Sequence, residues 1–174
     1  MSGFFRCLFE HPGFQANDDA HIFEIHPVRA VSLSGSIQTF DVDTPMQSSI
    51  HTWKAPFDLN KQDNKITASY DKAKDTLTFT NMDGRDENYV QVSGAVSNVR
   101  LSTTPPEPSS FTLTSADITQ PIEVIALHGT AAERELIQLT GTKVQMIALR
   151  KIDLNAALKG RYVINLLAIH IQAG

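Results

Sequence analysis

A single cysteine, Cys7, leaves this 174-residue chain without an intramolecular disulfide and without the thiolate set of a cysteine-based structural zinc. Long apolar runs are also missing. The longest greasy stretch, Val163 to Ile171, is broken by Asn165 and His170 and falls well short of the ~20 residues of a membrane-spanning helix, so no membrane span is expected. No basic segment followed by an apolar one opens the chain. The cytoplasm is therefore the default location, with an exported origin left open if the natural chain begins elsewhere. Positive charge is not in excess: 15 Lys and Arg face 19 Asp and Glu, for a net charge of -4. That balance argues against a sequence-independent grip on nucleic acid, whose affinity comes mostly from cations neutralising phosphates. Gly-X-Ser-X-Gly elbows and phosphate-cradling glycine loops are absent, which removes common nucleophile and nucleotide motifs.

What is present is β-forming. Thr, Ile and Val fall in short alternating runs rather than at helical spacing, the period-2 signature of strands with one wet face. Candidate strands are residues 4–10, 21–33, 65–70, 76–80, 89–101, 111–114, 122–128, 143–152 and 162–172. The polar run Asp71-Lys72-Ala73-Lys74-Asp75 predicts a tight turn joining two of them into a hairpin. Helix is scarce, with candidates at 131–139 and around 154–159. The fold class expected is all-β, a barrel or two-sheet architecture with an OB-like element and little helix. Residues 102–110, with three prolines among Ser and Thr, read as an extended, solvated connection. They divide an N-terminal β region, residues 1–101, from a C-terminal β region, residues 111–174, packed into the same globule.

The string Phe23-Glu24-Ile25-His26-Pro27-Val28, preceded by Leu8-Phe9-Glu10-His11-Pro12, resembles the closing strands of an OB-fold-like bacterial domain family of poorly defined function. The resemblance covers about thirty of the 174 residues and implies an OB-like element including residues 4–33. It implies a fold, and a fold does not by itself assign a function.

His21, Glu24 and His26 form the sharpest polar cluster. Side chains alternate along a strand, so Glu24 and His26 project to one side and His21 to the other. A metal-dependent hydrolase would need a third ligand, from His11, His128 or His170 on a neighbouring strand. With two ligands in hand, the favoured reading is a polar pair that fixes strand register, and neither metal nor cofactor is expected. Arg150, Lys151, Lys159 and Arg161 crowd one region with Asp153 alone among them. They read as a solvated face, or, with Tyr89 and Tyr162, as the surface of an OB-type nucleic-acid or oligosaccharide binder. The closing run 162–172 is apolar on both faces, which requires either a central strand or a covering subunit. The function expected is a β-rich binding or assembly module without catalytic activity, for an unidentified ligand or protein partner. Homo-oligomerisation is the weaker expectation and nucleic acid a disfavoured one.

Overall fold

The computed structural model describes residues 2–7, 23–33, 36–39, 50–52, 66–80, 89–105, 107–116 and 120–174, those before residue 66 by their backbone pairing. β1 (Ser2–Cys7), β2 (Phe23–Leu33) and β3 (Ser36–Thr39) pair antiparallel in that order. This three-stranded sheet lies within the span where the OB-like element was expected, and the five-stranded barrel is built from later strands. β4 (Ile50–Thr52) is a short parallel addition to a later strand. β5 (Thr67–Asp71) and β6 (Thr76–Thr80) form the expected hairpin, pairing Ala68 with Phe79 and Tyr70 with Leu77. Its turn is held by Asp71, whose Oδ1 accepts from the backbone N–H groups of Ala73 and Lys74, a carboxylate mimicking a backbone turn.

The barrel spans residues 89–173. β7 (Tyr89–Arg100), β8 (Ser109–Thr114), β9 (Ile122–Ala126), β10 (Lys143–Ile152) and β11 (Ile164–Ala173) lie in the order β7-β8-β9-β11-β10, and β10 returns to β7 to close five strands. Only β9 and β11 run parallel within this ring. Helix α1 (Ala131–Gln138) joins its third strand to its fourth. A closed five-stranded Greek-key barrel with that crossover is the OB-type architecture. β7 closes the ring by serving two neighbours, β10 through residues 89–95 and β8 through residues 95–100. Gly94 sits at the handover. A Cβ there would lie 2.5 Å from the Thr114 carbonyl oxygen, so only glycine lets the strand bend that close to β8.

Period-2 alternation fills the interior with Val92, Phe111, Leu113, Val124, Met146 and Leu166, and α1 closes one end with Ala132 and Leu136. At the other end Ile152 meets Ile66 and Phe79 of the hairpin segment, Tyr162, and Leu154 of the short helix α2 (Leu154–Ala157). Phe79 and Tyr162 pack edge to face, centroids 6.3 Å apart. A second apolar cluster, Leu149, Leu167 and Ile169, covers the outside of β10 and β11, where β1 approaches β10. β11 is thus buried on both faces as a ring strand, and no partner subunit is needed to cover it.

Residues 102–105 and 107–110 stand where the sequence places the division between the two β regions. They link β7 to β8 within one barrel and are folded back rather than extended: Glu107 N–H donates to the Thr104 carbonyl, and Ser102 N–H donates to Ser109 Oγ at 3.0 Å. Prolines that exclude a ladder mark a hairpin loop as readily as a linker. Among the described residues no helix is long and apolar enough to cross a membrane.

Candidate binding face

An OB-type barrel offers ligands the outer face of its second and third strands, flanked by the loops after its first and fourth strands. Here those are β8 and β9, with loops 101–108 and 153–163. Register places one polar row across all five strands. Ser97 pairs with Thr112, Thr112 with Glu123, and Asn165 with Lys151, while Asn165 Nδ2 donates to Glu123 Oε2 at 3.3 Å and joins the two halves. Asn165 also reaches Asp153 Oδ2 at 3.5 Å, and Asp153 Oδ1 caps α2 by accepting from Ala156 N–H. Of this row Ser97 and Glu123 are exposed, Thr112 and Lys151 half-buried, and Asn165 is buried beneath its carboxylate partners.

The basic residues separate. Lys159 and Arg161 are exposed in the loop after α2, where Gly160, at φ 73, turns the chain, and Lys151 is half-buried on β10. Arg150 is 1% exposed and shares the inward parity of Met146 and Ala148, so it leaves the solvated face on which the sequence places it. Tyr162, expected as an exposed aromatic, is half-buried against Phe79 with its hydroxyl oxygen enclosed. The side chain of Tyr89 lies outside the described residues.

Glu24 and His26 lie on β2, where Glu24 pairs with Arg6 of β1, and their side chains lie outside the described residues, as do His11 and His21 altogether. His128 and His170, the alternative third ligands, each meet a carboxylate of α1: His128 Nδ1 is 3.2 Å from Glu133 Oε2, and His170 Nδ1 is 2.6 Å from Glu135 Oε1. Glu135 also accepts from the N–H of Ile171, beside the irregularity in the β10–β11 ladder. Among the described residues no group of three His, Cys, Asp or Glu side chains is placed to hold a metal.

The sequence reading missed one buried cluster. Glu133, 4% exposed, accepts from Ser109 Oγ at 2.8 Å and from Gly129 N–H at 2.7 Å, with His128 beside it. Burial pushes its pKa up, but the Gly129 N–H, the Ser109 hydroxyl and His128 together hold it below the ordinary carboxylate value. Ser, Glu and His are all present, yet the carboxylate stands between the other two, and Ser109 donates to it rather than to an imidazole. A nucleophilic serine needs the reverse order, so this cluster activates nothing. It ties loop 101–108 to the start of α1. The signal in the sequence is Thr130-X-X-Glu133, a capping-box spacing in which Thr130 Oγ1 accepts from Glu133 N–H.

No family model matches the sequence, and no curated protein sequence does. Among solved structures, the chain is similar to a chain of a replication protein A heterotrimer bound to ssDNA, with a TM-score of 0.41 and 13% identity over 69% of this chain and 80% of that one.

Proposed function

We propose that the protein is a non-catalytic binding or assembly module whose β8–β9 face takes a protein partner. The observation that carries this reading is the outward row from Ser97 through Thr112 to the exposed Glu123: hydroxyls suited to a polypeptide surface, with a carboxylate where a nucleic-acid groove would carry cations and stacking rings. Phe111 is spent inside the barrel, and Phe79 and Tyr162 are spent on each other.

A second reading is supported by one observation, the exposed Lys159 and Arg161 on a loop that flanks this face: a single-strand nucleic-acid binder held mainly by phosphate contacts. Fluorescence anisotropy of labelled oligothymidine and oligouridine separates the two. The protein-partner reading expects binding no tighter than about 10⁻⁴ M, the loose end of non-specific association, at physiological salt. Tighter, salt-dependent binding that is lost in Lys159→Glu/Arg161→Glu would replace it with the second reading.

A further inference from the structure

We propose that the end of β7 and the adjoining flank of α1 form a second docking site, for an extended peptide with alternating apolar side chains and a carboxylate. It lies on the opposite edge of β7 from β8, so it stands whatever the β8–β9 face binds.

Four large hydrophobic side chains are markedly exposed among the described residues, and three of them, Val99 at 47%, Leu101 at 49% and Ile137 at 57%, belong to this region. β10 leaves the edge of β7 at the pair Lys143 and Ala95, and the last bond on that edge is from Val96 N–H to the Thr142 carbonyl, 2.7 Å. Beyond it, among the described residues, nothing pairs with that edge of residues 97–101. On the other edge the ladder with β8 continues through a bulge: Ser97 pairs with Thr112 and Arg100 with Ser110, leaving one extra residue between, and Asn98 takes φ 51. The extra residue keeps Arg100 on the outer face with Ser110 and turns Val99 and Leu101 to the inward side, past the barrel rim.

Two ties hold α1 beside this stretch. Thr142, just after the helix, bonds Val96, and Ser109 Oγ links Ser102 N–H to Glu133. Ile137 stands one turn beyond Glu133 on the same flank of α1, the flank that Glu133 ties through Ser109 to Ser102. An open strand edge beside an apolar strip is the geometry of strand addition, in which backbone bonds supply affinity and alternate side chains supply specificity. Natural proteins usually cover or charge such edges.

The charge selects the occupant. Arg100 is exposed on the outer face, and a second copy pairing edge to edge about this position would bring two Arg100 side chains together across the strands, which is unfavourable. A carboxylate on the incoming strand meets Arg100 with the opposite sign.

The test uses the full ¹⁵N-labelled chain and two short synthetic strands of alternating Val and Thr, identical except for a central Asp or Lys. The Asp strand is expected to shift the amides of Asn98, Val99, Arg100 and Leu101 and to bind about ten-fold tighter than the Lys strand. Arg100→Glu, a surface change, should invert that preference, and Ile137→Asp should weaken both strands. Unmoved amides at 98–101, or a preference that survives Arg100→Glu, overturns the site. Dimers in light scattering whose dissociation on dilution shifts the same amides would assign the edge to a second copy and equally overturn the proposal. Should Ile137→Asp unfold the chain, the amide map and Arg100→Glu still decide.

Discussion

Replacing Gly94 by alanine tests whether the bend of β7 is what allows the barrel to close. The new Cβ would lie 2.5 Å from the Thr114 carbonyl oxygen and 3.0 Å from Leu113 Cδ1. The nearer atom is backbone, held by the pairing of Ala95 with Thr114, so it cannot rotate away as a side chain would. Either β8 moves out or β7 straightens, and straightening pulls residues 95–100 off β8. Overpacking of this kind costs about 1–3 kcal/mol. Alanine returns about 0.4–1 kcal/mol by restricting the unfolded chain. The net expectation is a loss of about 1–2 kcal/mol, which at an m-value of about 2 kcal/mol/M lowers the urea midpoint by roughly 0.5–1 M. Gly141→Ala is the control. Its added Cβ meets nothing nearer than the Lys143 nitrogen at 3.9 Å, so only the unfolded-state term remains and the midpoint should stay or rise slightly. Equal midpoints for the two variants would refute the claim that close approach at the bend constrains residue 94.

Three further outcomes follow from the packing. Glu133→Gln keeps one acceptor oxygen where the carboxylate meets donors with two, so it should cost about 1–3 kcal/mol at neutral pH. The folded pKa of Glu133 is lowered, so its contribution is fully present above the unfolded value and lost as pH falls through the folded one. Acid titration should therefore narrow the gap between the two proteins, and a constant gap would show that the anion is not the stabilising form. Phe79→Ala removes a ring that is half-buried and edge-on to Tyr162, and thermal unfolding should report a loss of about 1.5–3 kcal/mol, below the 3–5 kcal/mol of a fully enclosed phenylalanine. Leu166→Lys places an ammonium at a fully buried interior position and should leave the chain insoluble or unfolded, with a stable monomer in light scattering contradicting the interior placement.

The candidate site was legible only in fragments. Lys159 and Arg161 are exposed, because a Gly-containing polar loop between apolar strands has nowhere to go but the surface. Arg150 read the same way and is buried, because its parity on β10 decides its side, and the charge of Lys151 beside it carries no information about parity. The row across the outer face could not be seen in advance. Its members stand on five strands, and only the register brings Thr112 opposite Glu123 and Lys151 opposite Asn165.

Local chemistry alone determined that the chain is built from strands, that residues 67–80 turn back as a hairpin, that α1 begins near Thr130, and that β11 must be buried on both faces. Each of these follows from side-chain periodicity, turn residues or a cap, which act over a few residues. The tertiary structure decided the remainder: that the closed barrel is residues 89–173 rather than a unit around 4–33, that loop 102–110 lies inside it, and that Glu133 draws Ser109 and Gly129 together. Strand pairing is non-local, and a period of two is the same for every strand, so the pattern that makes a strand does not name its neighbour. Closure depended on one glycine bend and on the return of β10 to β7, contacts between residues about fifty positions apart.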